Sequence, residues 1–324
     1  MTPSPRGSDL RLSLLRAQVA DAIAAYAAPL IQADLVRLLA RRGYALDPEG
    51  PCRAGAFALE VYGAFRRPLD RRALLAAAAV ELQMEAAYVF DEAMDGRVDA
   101  RPAEDLALAI ALLTAGTAAA ADAATHTPDP PATMLHFCVA TSEACAGQFL
   151  DAVLERRQKA TLDEALQMTC LKSGSLGKFA AGFAARVAGA EGDGIALFER
   201  LGVHVFTFAQ LVDDLRDACR PRASDLAQHK ATLPLVFFGR CAENIDVPAH
   251  DSGMIPGEIV KAYESSGAPL YAGIVALTYL RRAHGDLELL AGRGYAVEGL
   301  GRFLETVESG AADTLGAVGF GMVA

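Results

Sequence analysis

Tryptophan is absent from this chain, and aromatic residues supply only 7% of it. No stretch shows convincing two-residue alternation of apolar and polar side chains, the mark of a half-buried strand, and no internal repeat or linker interrupts the sequence. The cysteines are dispersed: Cys52, Cys138, Cys145, Cys170, Cys219 and Cys241 form no CxxC pair. That spacing argues against a zinc site or a disulfide framework and predicts buried thiols in a reducing cytoplasm. Positive charge is in deficit, with 30 Lys and Arg against 40 Asp and Glu, so no nucleic-acid partner is expected. No secretory leader is expected, because the N-terminal MTPSPRGSDLR is polar. The longest nearly uncharged apolar stretch, Leu106 to Ala121, falls short of the roughly 20 residues a membrane span needs and reads as a buried helix. These absences together predict a soluble, cytoplasmic, globular chain with no membrane span.

Apolar and alanine-rich sequence dominates instead. Hydrophobic residues fill 52% of the 324 positions, enough for a large core, and with so few aromatics they favour closely packed helices. Helical spacing runs from Leu10 to Arg42 with an interruption near Pro29, and a loop follows over Tyr44–Gly55. Helices are expected over Ala56–Phe65, Arg71–Met94, Leu106 onward and Met134–Arg157. Leu162–Val187 reads as one or two helices, and a Gly-rich turn over Gly189–Gly194 precedes a further helix. Beyond Pro234, helices alternate with a loop over Asn244–Gly257 until Glu308. The expected organisation is a disordered segment over residues 1–8, one all-α domain of ten or more helices over 9–310, and a flexible tail over 311–324.

The chemistry concentrates between Phe206 and Pro234, FTFAQLVDDLRDACRPRASDLAQHKATLP. Its DDxxD arrangement puts Asp213 and Asp217 one helical turn apart on one face, with Asp214 beside them. Like charges so crowded repel unless a cation sits among them, and hard divalent cations such as Mg²⁺ take carboxylate oxygens and share their sphere with substrate phosphates. A second cluster, Asp91, Glu92 and Asp95 in YVFDEAMDG, repeats the spacing more than a hundred residues earlier. Either cluster alone reads as a solvated acidic face; two of them facing one cavity would clamp a diphosphate.

In the same region AQLVDDLRD is similar to the FQxxDDxxD motif of the trans-isoprenyl diphosphate synthases, the polyprenyl synthetase family, and carries over Gln210, Asp213, Asp214 and Asp217. CRPRASDLAQHKATLP resembles that family's GKxxGxDLxxGKxTLP: Asp225, Lys230, Thr232 and Pro234 match, Arg220 replaces the first lysine, and His229 replaces a glycine. Lys172-Ser173 stands for the family's Lys-Thr pair, Gly147-Gln148 with Asp151 for its GQxxD, Glu81-Leu82 for its Glu-Leu, and DEAMD for its first DDxxD. The resemblance covers roughly residues 55–310. It implies the single-domain isoprenoid synthase fold around a central cavity, usually as a homodimer. It also implies a class I isoprenoid synthase binding an allylic prenyl diphosphate with about three Mg²⁺ ions. Asp91, Glu92, Asp95, Asp213 and Asp217 would be the metal ligands, with Asp214 assisting. Lys172, Arg220 and Lys230 would neutralise the phosphates, with Gln148, Gln210 and Arg67 also contacting substrate.

The resemblance fails where the family binds isopentenyl diphosphate. Against the family's GGKRxRP the chain reads YGAFRRP, so Ala64 and Phe65 stand where Lys and Arg belong, although Arg67 is kept. Met84 occupies the histidine position seven residues before Asp91, and Asp99-Ala100 the arginine pair, with Arg66, Arg97 and Arg101 nearby. Each charge-assisted phosphate contact contributes about 1.5–3 kcal/mol, so losing three would weaken that site by orders of magnitude. The sequence alone therefore puts a terpene synthase-like reaction first. Head-to-tail elongation with isopentenyl diphosphate is the alternative, and a non-catalytic partner subunit of a prenyl synthase is another. Ala86 and Ala87 leave room for a substrate of roughly C15 to C20. Glu85 reads as lying on a solvated or dimer-interface face, and His204 as a satisfied core histidine. Tyr88, Phe90, Phe179, Phe206 and Phe208 are candidates for cavity wall, with ordinary core as the default.

Overall fold

The computed structural model describes residues 7–41, 53–95, 102–157, 159–218, 225–241 and 257–320. Among the described residues every regular element is helical. In order they are α1 (Gly7–Tyr26), α2 (Pro29–Arg41), α3 (Arg53–Gly63), α4 (Arg71–Met94), α5 (Pro102–Ala124), α6 (Pro130–Arg157), α7 (Leu162–Thr169), α8 (Ser175–Val187), α9 (Asp193–Asp217), α10 (Leu233–Cys241), α11 (Gly257–Ser265), α12 (Ala268–Gly292) and α13 (Glu298–Ala317). A π-helical turn, Cys170–Gly174, joins α7 to α8. The all-α expectation holds.

The described residues gather into two compact units. One takes residues up to 139 with 179–199 and 290–300, and the other takes 140–178, 200–289 and 301–320. The chain passes between them inside α6, α8, α9, α12 and α13, so no linker composition marks the division.

The first unit is organised on α4, which starts at an Asp70 cap whose side chain accepts a hydrogen bond from Ala73 N. Every residue of α4 from Leu75 to Ala86 is buried, because a run of alanines lets neighbouring helices approach on several sides. At Gly116 of α5 a Cβ would lie 3.2 Å from Leu82 Cβ, so α5 crosses α4 nearly in contact. Glu81 is buried and accepts from Gly55 N at 2.6 Å, a carboxylate closing the first turn of α3. Glu85, expected on a solvated or interface face, is instead 2% exposed; one turn beyond Glu81, it shares the buried face. Phe179 packs edge-on to Phe137 and against Phe183, and Phe208 of the second unit is fully buried, so these aromatics are core. Tyr88, by contrast, is 46% exposed.

In the second unit α8 and α9 meet at glycines. A Cβ on Gly177 would sit 2.2 Å from Gly202 O and 2.7 Å from the Phe206 ring. Another packed cluster joins Ala218 and Leu226 to Leu235, Phe238, Ile259, Tyr263 and Ala268.

Several boundaries differ from expectation. Helix α3 begins at Arg53, ahead of the expected Ala56. Helix α6 begins at Pro130, since prolines in a first helical turn lack only an N–H that would have no intrahelical partner. Helix α13 runs to Ala317 through the stretch expected as a flexible tail, because Ala311 and Leu315, one turn apart, are both buried. Residues 1–6, most of the stretch expected to be disordered, lie outside the described residues; Gly7 and Ser8 belong to α1. Of the cysteines expected to be buried, Cys138, Cys145 and Cys241 are exposed free thiols and Cys170 is partly buried, while Cys52 and Cys219 fall outside the described residues. The expectation of no membrane span is not confirmed. Three helices, α4, α9 and the Ala103–Ala124 part of α5, are long and apolar enough to cross a membrane. The apolar stretch of α4 is 78% buried inside the protein, against 39% for α5 and 50% for α9, so α4 is satisfied within the fold.

Replacing Gly177 by Ala drives a methyl group into the α9 backbone and is expected to lower the folding free energy by about 1–3 kcal/mol. An unchanged urea midpoint would mean that α8 and α9 separate without penalty.

Candidate active site

Helix α9 carries the second acidic motif, and its three aspartates have different surroundings. Asp214 is 4% exposed, and its Oδ1 accepts from Gln210 Nε2 at 2.8 Å. Gln210 Oε1 in turn accepts from Ser173 Oγ at 2.7 Å. Burial lifts the Asp214 carboxyl well above the usual carboxylate range; the Gln210 hydrogen bond and the Lys172 charge oppose this, and Asp225 and Asp213 add to it. Asp213 is partly exposed and its Oδ1 lies 2.5 Å from Arg216 Nη1, a counter-charge the motif did not reveal. Arg216 also donates to Gly310 O at 3.2 Å.

The lysines are held by α6. Along this helix residues 143, 147, 151 and 155 recur every fourth position and form one ridge. Glu143 takes Lys178 Nζ at 2.9 Å on both oxygens. Asp151, almost fully buried, takes Lys172 Nζ at 2.8 Å. Glu155 Oε1 lies 2.6 Å from Lys230 Nζ. At the remaining position, Gly147, a Cβ would lie 2.3 Å from Lys172 N, so the bare glycine is what lets α6 meet the Lys172 backbone. Lys172 and Ser173 are consecutive residues of the π-helical turn, one reaching Asp151 on α6 and the other Gln210 on α9. Such wide turns recur at functional sites.

Lys230 is also fixed by its backbone. Asp225 N donates to Asp217 O at 3.1 Å, and Lys230 N donates to Asp225 O at 2.9 Å, so the turn containing both residues closes on the end of α9. His229 occupies the left-handed region at φ 55, which favours glycine; the glycine of the matched family pattern is thereby explained. His229 itself is exposed.

His204 is a satisfied histidine. Its Nδ1 lies 2.7 Å from Asp286 Oδ2, while Arg200 Nε donates to Asp286 Oδ1 at 2.7 Å. Asp286 is 3% exposed, and its role as their shared partner was invisible in the sequence.

The first unit holds the other cluster. Asp91, Glu92 and Asp95 close α4, all partly buried, and Asp95 N donates to Asp91 O at 2.9 Å. Ala64 and Met84 are buried, and the Phe65 ring stacks on Phe198 at 5.3 Å and meets Tyr295 edge-on at 5.1 Å. The positions that depart from the family pattern are thus built into apolar packing. Arg66 takes φ 57 at the turn after α3, and Arg67 is exposed, its guanidinium 3.0 Å from where a Cβ on Gly189 would be. Arg220, Arg97, Asp99, Ala100 and Arg101 lie outside the described residues.

Among the described residues no three His, Cys, Asp or Glu side chains converge as a metal cage. A buried Asp214 Oδ2 has no hydrogen-bond partner. A carboxylate oxygen is the type of donor that Mg²⁺ takes alongside phosphate and water.

The polyprenyl synthetase family model matches residues 43–246, and the chain belongs to that family. It is 37% identical over 101 residues to a geranylgeranyl diphosphate synthase of Mycobacterium tuberculosis, a match covering 29% of each chain. It is 30% identical over 159 residues to a short chain isoprenyl diphosphate synthase of Methanothermobacter thermautotrophicus, covering 45% of this chain and 49% of that one. The matches thus span half or less of these curated relatives. Among solved structures, a geranylgeranyl pyrophosphate synthetase from Geoglobus acetivorans superposes with a TM-score of 0.76 at 20% identity, covering 92% of this chain and 97% of that one. A Corynebacterium glutamicum geranylgeranyl pyrophosphate synthase complexed with calcium and isoprenyl diphosphate gives 0.71 at 22% identity, covering 96% and 97%. At those identities the structural likeness speaks for the fold.

Substitutions at two positions test this geometry. Gly147→Ala, which in an open helix would help by about 1 kcal/mol, is expected instead to push α6 off Lys172 and lower kcat/KM by about 100-fold; unaltered kinetics would remove Gly147 from the site's architecture. His229→Gly is expected to leave stability unchanged or raise it by up to about 1 kcal/mol, whereas His229→Val lowers it. Equal melting temperatures for the two would refute the left-handed assignment.

Proposed function

We propose that this chain is a prenyltransferase that binds an allylic prenyl diphosphate and elongates it head-to-tail with isopentenyl diphosphate. The observation that carries the first half is the arrangement on α6 and α9: Lys172 and Lys230 are held on one helix ridge, and Lys172 is joined through Ser173 and Gln210 to the acidic motif. Lys172, Lys230 and Arg220 are assigned to the diphosphate oxygens, with Gln148, Gln210 and Arg67 as further substrate contacts. Asp91, Glu92, Asp95, Asp213 and Asp217 are assigned to the metal. Charge accumulates on the diphosphate as its C–O bond breaks, and ammonium groups already in position stabilise that charge without reorganising. Bound Mg²⁺, about three ions in this reading, would neutralise the same charge. The allylic cation left behind has to be shielded from water by apolar walls.

The elongation half is supported by the relatives, which are named as prenyl diphosphate synthases and reverse the order reached from the sequence alone. A terpene synthase-like reaction remains the second reading because of one observation. Phe65, Ala64 and Met84 are packed apolar groups where phosphate-binding side chains belong. A substrate of roughly C15 to C20 is assigned on the small side chains of Ala86 and Ala87. The homodimer is part of the proposal, supported by the apolar but largely uncovered α5 and by exposed Leu135, Val139 and Phe149 of α6. A monomer by analytical ultracentrifugation would remove it.

Incubating the protein with farnesyl or geranylgeranyl diphosphate and Mg²⁺, with and without isopentenyl diphosphate, separates the two readings. Longer diphosphates formed only with isopentenyl diphosphate are expected; hydrocarbon or alcohol from the allylic substrate alone would favour the second reading. Asp213→Asn should lower diphosphate release by about 100-fold or more, and EDTA should abolish it reversibly. Full turnover in either experiment would remove the metal assignment.

A further inference from the structure

We propose that Glu155 is a positioning residue for the diphosphate site, acting through Lys230. The inference rests on the assignment of Lys230 to the diphosphate. Sequence motifs stop at Asp151, yet the α6 ridge continues one turn further to Glu155, whose Oε1 lies 2.6 Å from the Lys230 ammonium. The two partners differ in burial: the Lys230 side chain is 9% exposed and Glu155 is 29% exposed.

A lysine carries its charge on a flexible four-carbon stem, and in water it would sample many rotamers. Here the backbone end is fixed by Lys230 N donating to Asp225 O, and Asp225 N is itself bonded to Asp217 O. Glu155 fixes the other end. With both ends set, the ammonium stands at a defined distance from the last aspartate of α9 before substrate arrives. Asp151 does the same for Lys172 at 2.8 Å. The two carboxylates are one helical turn apart, so the spacing between the two lysines is set by the pitch of α6 rather than by either loop.

The diphosphate is already an anion before its C–O bond breaks, so Lys230 engages it in the ground state too; what anchoring adds is mainly a lower ordering cost of binding, and its loss falls on KM more than on kcat. Glu155→Gln is therefore expected to raise KM for the allylic diphosphate by about tenfold, with kcat within about threefold of the parent. A structural role would also disturb binding, so the deciding measurement is a double-mutant cycle with Lys230→Met. If Glu155 acts through Lys230, the effect of Glu155→Gln disappears in the Lys230→Met background, where the removed lysine no longer needs holding. The double variant also lacks an unpaired buried charge, and its melting temperature keeps the comparison between folded proteins.

Three outcomes are distinguishable. A Glu155→Gln effect lost in the Lys230→Met background supports the inference. Equal effects in both backgrounds, or no effect on KM alongside a raised KM for Lys230→Met, overturn it and leave the assignment of Lys230 intact. A normal KM for Lys230→Met overturns that assignment, and the inference with it.

Discussion

The ion pairs along one ridge of α6 are the interaction on which the site depends. Asp213, Asp214, Asp217 and Asp225 are brought near the end of α9, and the Asp214 carboxyl is buried. Crowded negative charge of this kind is tolerated only where cations are fixed nearby. Arg216 supplies one at Asp213, and α6 holds Lys172 and Lys230. Other features of the second unit follow from that need. Gly147 has no side chain because the Lys172 backbone passes where a Cβ would be. The turn ending at Lys230 keeps a left-handed residue, so that its backbone can return to the end of α9.

The first unit presents the opposite problem. Its acidic cluster at the end of α4 retains carboxylates, with a glutamate at the second position. Near the family's second phosphate site, by contrast, Phe65 lies against Phe198 and Tyr295. An aromatic cluster of that kind contributes roughly 0.5–1.5 kcal/mol per ring pair beyond its buried area. Restoring an arginine at position 65 would therefore have to replace packing as well as add charge. This chain has adapted those positions to its core, while its relatives are named for a chemistry that elsewhere in the family uses them for phosphate.

How much could be read in the sequence varied with the physics involved. The bounds of α4 were legible to the residue because Asp70 is a strong cap and a long alanine run follows it. Likewise Asp213, Asp214 and Asp217 were found by spacing, since an i, i+4 pattern fixes the face before any coordinates exist, whereas Lys172 and Lys230 were pointed to by the resemblance to the family's motifs. Glu155 was equally accessible by that rule, one turn past Asp151, but no motif pointed to it. Asp286 was not accessible at all, for its partners Arg200 and His204 lie more than eighty positions away. Exposure of single cysteines was misjudged as well, because Cys138 and Cys145 sit on α6 among apolar residues whose outward face only the fold reveals. The burial of Glu85 was hidden for a related reason: a carboxylate in an alanine-rich helix carries no local sign of which side is inward.

The stretch from Leu162 to Val187 could not be divided into one helix or two, and the π-helical turn is the reason. Over Cys170–Gly174 the backbone holds one residue more per turn than an α-helix, so the apolar phase of α7 and that of α8 do not continue each other. Lys172 lies inside that irregularity, and Gly177 follows it. Were the same residues wound as α-helix throughout, everything after the turn would be rotated by about 100°. The face that now meets Gly202 would turn away, although every side chain would be unaltered. Residue count in this segment is thus inherited information in its own right. A chimaera that borrows α7 and α8 from another synthase has to preserve the length of the join before the identity of its letters can matter.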